Sequence, residues 1–275
     1  MYAKKVQIKI MLFIFLLIAQ ITISTSAQTK LIAGKKKIVL LDNYFNHEVK
    51  KDATGKEIVW HYTWDEEDNG GYSMLGNVFH KYGLLTKTLV SAPTVQNLKS
   101  ANIYIIVDPD TEKETKTPNY IQSKDIIVIY DWVKKGGILL LFGNDTGNVE
   151  FTHFNQLAKK FGFQFNYDVH NKVIANKYEM GTFNIPADNP IFKTAKKIYI
   201  KEYSSQNVTT AKPVFKDGDI VVMSVAKVGK GTVFAIGDPW FYNEYFDGRI
   251  LPAEIENYKA AEDLVKWAID QIKKK

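Results

Sequence analysis

The sequence predicts an α/β fold built on a doubly wound, mostly parallel sheet with an antiparallel edge. Three observations carry this reading. The runs KIVLL (Lys37–Leu41), IYIIV (Ile103–Val107) and ILLLF (Ile138–Phe142) have the near-continuous apolarity of strands covered on both faces. Segments with one-faced helical spacing alternate with strands through the first half of the chain. Near the end, Ile220–Ala226 and Thr232–Ile236 flank Gly229-Lys230-Gly231, which reads as a hairpin and therefore as an antiparallel extension.

The elements follow in order. Lys37–Leu41 is a strand ending in Asp42-Asn43. The polar, aromatic stretch from Tyr44 to Asp68 reads as a long loop with a small hairpin around Glu57–Thr63, punctuated by Asn69-Gly70-Gly71. Tyr72, Leu75, Val78, Phe79 and Tyr82 share one face of a helix over Tyr72–Tyr82, which Gly83 terminates. Lys87–Val90 is a strand and Val95–Leu98 a short connector. Ile103–Val107 ends in Asp108-Pro109-Asp110. Ser123 is placed to cap a helix running to Lys135, although β-branched Ile126 to Tyr130 would also suit a strand. Gly136-Gly137 stops that segment, and Ile138–Phe142 ends in Gly143-Asn144-Asp145. Phe151–Phe161 is a further helix closed by Gly162. Periodicity is poor from Gln164 to Phe192. Ile198–Ile200, Pro213–Phe215, Ile220–Ala226 and Thr232–Ile236 then read as strands, the last ending in Gly237-Asp238-Pro239. Pro252–Lys274 is an amphipathic helix with Tyr258, Ala261, Leu264, Val265, Ala268, Ile269 and Ile272 on its apolar side. No repeat or linker divides residues 28–275, so a single α/β domain is expected there.

The first 27 residues read as a secretory signal peptide. Lys4, Lys5 and Lys9 form a basic start, Ile10–Ile21 an apolar core of ~12 residues, and Ser26-Ala27-Gln28 a small-residue exit. The core is short of the ~20 residues of a spanning helix; an uncleaved anchor is the alternative. Cleavage implies a periplasmic or secreted protein with no stable membrane span. The leader carries three Lys and no acids, so its removal lowers the formal charge from +6 to +3. With only short Lys runs at 35–37 and 273–275, no nucleic-acid footprint is present. The chain has no Cys, which excludes disulfides, thiolate metal sites and a cysteine nucleophile.

Four strands end in Asp or Asn: Asp42-Asn43, Asp108-Pro109-Asp110, Asn144-Asp145 and Asp238. In a parallel sheet these carboxyl ends share one rim, outside which ligands bind. Asp and Asn also start turns and cap helices, so each alone could be structural. Three loops surround the rim. The first, Tyr44–Tyr72, holds His47, His61 and Trp64, and its Asn69-Gly70-Gly71 precedes a helix. Loops of this length inside a domain are usually functional, but no His pair has the spacing of a helical zinc site. The second, Asp238–Leu251 (DPWFYNEYFDGRIL), interleaves Trp240 and other aromatics with Asn243, Glu244, Asp247 and Arg249, a mixture suited to sugar rings unless the aromatics are core. The third, Gly143–Asn148, stands where a class I amidotransferase-like fold would carry its nucleophile elbow. Here it offers Asn144 and Asp145 instead of Cys, with no G-x-S-x-G pattern.

HYTWDEEDNGGYSMLGNVFHKYG, DWVKKGGILLLFGND and GKGTVFAIGDPWFYNEYFDGRILPAEIENYKAAEDLVKW resemble the α/β domain attached to the C-terminal side of many unsaturated rhamnogalacturonyl hydrolases of Bacteroidetes. The resemblance spans Lys37–Lys274 and implies a flavodoxin-like, class I glutamine-amidotransferase-like fold. It implies a setting of pectin-type, uronate-containing polysaccharide breakdown, without the helical glycosidase barrel of those proteins and without catalytic residues to carry over.

Three functions follow as alternatives. The first is a carbohydrate-binding accessory domain, with an oligosaccharide or polysaccharide ligand and a polysaccharide-degrading enzyme as partner. The second is a hydrolase, glycosidase or esterase, using Asp108 with Asp238 or Asp145 with Glu244; separations of ~5.5 Å or ~6.5–9.5 Å would suit retaining or inverting chemistry. The third is an interaction module with its rim plugged by its own loops. No cofactor is expected, with Ca2+ on the Asp-rich rim as a variant.

Overall fold

The structure, a computed structural model, describes residues 37–273 apart from Asp247. The expected signal peptide lies outside the described residues.

In chain order the strands are β1 (Lys37–Asp42), β2 (Val49–Lys51), β3 (Glu57–Val59), β4 (Leu84–Leu89), β5 (Ile103–Val107), β6 (Ile138–Phe142), β7 (Phe163–Phe165), β8 (Thr182–Asn184), β9 (Lys197–Tyr199), β10 (Gln206–Val208), β11 (Lys212–Asp217), β12 (Ile220–Val228) and β13 (Gly231–Ile236). The α-helices are α1 (Ser73–Lys81), α2 (Val95–Leu98), α3 (Ser123–Lys134), α4 (Phe151–Lys159) and α5 (Asn257–Lys273), with 3-10 turns at Tyr178–Gly181 and Asn243–Tyr245.

The main sheet runs β4-β1-β5-β6-β13-β12-β10-β7, with β11 also paired to β12. From β4 to β13 all pairs are parallel; β12, β10 and β7 then pair antiparallel in succession, forming the expected edge. Period-two alternation sorts each central strand onto two cores. Ile103, Ile105 and Val107 of β5 face one core with α1 and α5, whereas Tyr104 and Ile106 face the other with α3 and α4. This is a sheet between two helical layers. All five side chains of β5, like all five of β6, are buried, which is why both runs read as apolar throughout.

Several boundaries differ from the sequence reading. Ser123 is the first helical residue of α3 and not its cap; the Gln122 N–H is held by the Asp125 carboxylate at 2.9 Å. Helix wins over strand for Ile126–Tyr130 because Ile126, Ile129 and Val133 fall on one buried helical face. The connector Val95–Leu98 is a helical turn with Thr94 as its cap. The last helix starts at Asn257, whose amide bonds the backbone of Tyr199 and ties α5 to β9. Among the described residues no helix is long and apolar enough to cross a membrane.

Candidate functional site

The rim divides into a closed half and an open half. The sheet order reverses between β1 and β5, the usual place for a ligand crevice. Here the loop after β1 fills it. Asp42 is buried and accepts the Tyr104 hydroxyl together with the N–H groups of Tyr44 (3.0 Å) and Phe45 (2.7 Å). Burial raises its pKa to about 6, against the pull of those donors. The Asn46 amide donates to the Asp108 carbonyl at 2.7 Å, and Asp110 accepts the His47 N–H at 3.0 Å and the Thr115 hydroxyl at 2.6 Å. The His47 ring lies beside the same carboxylate, with Nδ1 at 3.1 Å. The Asp42 carboxylate and the His47 backbone N–H therefore anchor the loop, which places Asp42 and His47 in the filled half of the rim and not in the open one.

Asp108 sits where the two halves meet. Its carboxylate accepts the Tyr62 hydroxyl at 2.7 Å and the Asn144 amide at 2.9 Å. Burial pushes its carboxyl well above the usual range, and the nearby Glu114 and Glu48 carboxylates push the same way. Tyr62 continues the chain of hydroxyls to Tyr242 at 3.2 Å. Asp108 is thus shielded behind Tyr62 and Asn144, and it does not line the open half. The pairing of Asp108 with Asp238 across a cleft fails for that reason.

The open half, at the ends of β6 and β13, is a cleft of about 290 Å³. Asn144, Asp145 and Asn148 supply one wall, Asp238 and Glu244 another, and Lys201 and Glu202 a third. Asn148 holds the Asp145 carboxylate through its amide at 2.8 Å. Asp145 is half-buried and its carboxyl is pushed up by burial, then by the Glu202 carboxylate. Asp238 is buried, accepts the Trp240 N–H and is pushed well up by burial. Lys201 lies 3.3 Å from Glu202. His61 closes the cleft from the loop side; its ring stacks between Trp60 and Tyr62, and Nδ1 is 3.2 Å from Glu48. The structure therefore brings together Asn144, Asp145 and Asp238 from the strand ends with His61 and Glu244 from the loops. It adds Asn148, Lys201 and Glu202, which sequence reasoning missed. The signal was present: Lys201-Glu202 directly follows an apolar run, as the other strand-end residues do.

Backbone conformation marks the same region. Among the described residues, the non-glycine positions with positive φ are His61, Tyr62, Asp108, Asn171, Ala175, Asn176, Glu202 and Trp240. His61 and Glu202 line the cleft, while Tyr62, Asp108 and Trp240 stand next to lining residues. Left-handed backbone is costly for bulky side chains and gathers at functional sites.

The Asp238–Leu251 loop behaves differently from the sequence expectation. Trp240 is fully buried, stacks on Phe241 at 4.2 Å and donates its indole N–H to the Tyr199 carbonyl at 2.9 Å. Its ring is core and is not offered to a ligand. Asn243 is also fully buried: its amide nitrogen reaches the Glu66 and Asp68 carbonyls and the Ser73 hydroxyl, and its oxygen accepts the Met74 N–H. It fastens two loops together, correcting its assignment to ligand contact. Arg249 donates to the Glu67 carbonyl at 3.1 Å and lies 3.3 Å from the exposed Asn69. Trp64 and Arg249 line a separate hollow beside α1, away from the cleft, and Trp64 donates its indole N–H to the Lys87 carbonyl. Asp247 lies outside the described residues. Among the described residues no three His, Asp or Glu side chains come together in a way that could hold a metal ion.

Helices on both faces of a mostly parallel sheet, with a polar cleft at the strand ends, define a doubly wound α/β protein. No protein-family profile and no curated relative matches the sequence. Among solved structures, the mmIFT52 N-terminal domain superposes with a TM-score of 0.64 at 15% identity, covering 85% of this chain and 97% of that one. A cytoplasmic protein of Salmonella typhimurium LT2 gives 0.52 at 11% identity over 76% and 92%. A ThuA-like protein of Bacteroides uniformis gives 0.47 at 11% identity over 86% and 94%. At these identities the first two likenesses show the fold alone.

Proposed function

We propose that this chain is an exported accessory domain that binds carbohydrate during the breakdown of uronate-containing polysaccharide, with the β6/β13 cleft as its binding site. One observation carries the reading: the cleft converges two side-chain amides, four carboxyl groups, an ammonium and two tyrosines on one open space. Carboxylates and amides can each serve two adjacent hydroxyls, the pattern a sugar ring presents, and their buried roots fix them before a ligand arrives. The resemblance to domains joined to rhamnogalacturonyl hydrolases supports the setting. Charge refines it. The carboxyl groups outnumber the ammonium, so neutral sugar residues suit most of the cleft and a uronate suits the neighbourhood of Lys201.

Calorimetric titration with rhamnose–galacturonate oligosaccharides tests the proposal. Saturable heat is expected for the unmodified protein, with Asn148→Ala weakening binding about tenfold by freeing Asp145 from its amide partner, on the order of 1.4 kcal/mol. No heat above background across a panel of such oligosaccharides sinks the idea.

A hydrolytic reading is favoured by one specific feature, the contrast between buried Asp238 and half-exposed Asp145. A carboxyl kept neutral can protonate a leaving glycosidic oxygen, while its partner takes a proton from the water that attacks the anomeric carbon. Release of reducing ends from the same oligosaccharides, abolished in Asp238→Asn, is the expected result. Release unchanged in that variant excludes this pair.

A further inference from the structure

The polar cleft does not end at Lys201, Glu244 and Tyr245. The same three residues also border a second hollow of about 390 Å³, whose remaining lining includes Val173, Tyr178, Tyr199 and Ile250. The first is walled chiefly by carboxyls and amides; the second adds Tyr178, Tyr199, Val173 and Ile250 to the shared Lys201, Glu244 and Tyr245, with Asn176 beside them.

A continuous aromatic floor joins them. Tyr242 meets Tyr245 edge to face at 5.3 Å, Tyr245 meets Tyr199 at 5.1 Å, and Tyr199 meets Tyr178 at 5.8 Å, with interplanar angles of 87°, 77° and 76°. Edge-to-face contact is the favoured geometry for aromatic pairs and locks each ring against rotation. Tyr199 and Tyr245 are buried, so the row is rooted in the fold, and half-buried Tyr178 presents ring surface at the far end. Ala175 and Asn176, held at positive φ, form part of the wall of the second hollow, as His61 and Glu202 do of the first.

We infer that the two hollows are consecutive subsites of one groove and that the ligand is an oligosaccharide of at least two residues. This rests on the carbohydrate reading of the first hollow. One residue lies among Asn148, Asp145 and Glu244 with its hydroxyls bonded; the next lays a C–H face toward Tyr178; Lys201 and Glu244 stand at the junction between them. Each hollow is near the lower end of the ~300–1,000 Å³ usual for small-molecule sites, enough for a single ring but not for a longer chain. Chain length is therefore read by occupancy of the second subsite.

The test uses the full chain and a length series: rhamnose and galacturonic acid as monosaccharides, and rhamnose–galacturonate oligosaccharides of two, four and six residues. Affinity is expected to rise at least tenfold from one residue to two and then to level off. Tyr178→Ala should abolish that gain, whereas Asn148→Ala should weaken every length. A saturable affinity that is independent of length and indifferent to Tyr178→Ala overturns the two-subsite inference while leaving carbohydrate binding intact. Absence of binding at every length overturns both. Because the length series is read on the unmodified protein, the inference does not depend on a variant folding.

Discussion

Four Asp residues at strand ends look alike in the chain and differ in the fold because their surroundings differ. Asp42 is the clearest case. The sequence shows it leaving a strand; it does not show that Tyr104, 62 residues on, will donate its hydroxyl to it. Burial favours its neutral form, and the sign of the consequence follows. Below pH 3.8 the group is protonated in both folded and unfolded chains and adds nothing. As pH rises from 3.8 to about 6 the unfolded chain ionises first, so this residue increasingly opposes folding, on the order of 3 kcal/mol once both forms are ionised. Asp42→Asn keeps an acceptor for the Tyr44 and Phe45 N–H groups and cannot ionise. Its unfolding free energy, followed by urea melts between pH 4 and 7, should lack this downward component; a variant with the parent's pH slope would show that Asp42 is ionised at no cost. Trp240 and Asn243 make the same point about legibility. Their residue types suit a sugar, but only the fold reveals that the indole and amide are already occupied.

At the scale of elements, legibility followed burial. KIVLL, IYIIV and ILLLF are buried almost throughout, so composition alone identified β1, β5 and β6. β7, β8 and β10 have only three residues each, and within the poorly periodic stretch from Gln164 to Phe192 the first two could not be delimited. The strand β9 was found, yet its following Lys201-Glu202 was not assigned to the rim because β9 belongs to a two-stranded ribbon outside the main sheet. The junction that brings this ribbon to the rim depends on Gly237. The Ser204 N–H donates to its carbonyl at 2.8 Å, and a Cβ on Gly237 would lie 1.9 Å from the Ser204 carbonyl oxygen. Backbone cannot yield as a side-chain tip can. Gly237→Ala is therefore expected to destabilise by roughly 1–3 kcal/mol or more, as overpacking does, and to detach the Lys201 wall from β13. Denaturant unfolding measures the first, and loss of oligosaccharide binding out of proportion to lost stability measures the second. An unchanged unfolding midpoint would mean that the two backbones are not held so closely.

Across the whole molecule, the sheet supplies two cores and one working edge. The helices α1 and α5 cover one face, α3 and α4 the other, so ligand access is left to the rim. That much follows from the strand–helix alternation in the sequence. What the alternation cannot say is which end of the rim stays open. The fold closes the β1/β5 end with Asn46, His47 and Tyr62 and leaves the β6/β13 end open.

The four bonds of Asn243 have a further consequence. By clamping the Tyr242–Tyr245 turn to residues 66–74, they make two separate stretches of chain a single wall, finished when folding is finished. A loop that must be marshalled by its guest surrenders part of the encounter's free energy to that ordering. Here little marshalling remains. If the groove binds an oligosaccharide as proposed, it meets that ligand as a mould already set, and its selectivity is that of a fixed shape.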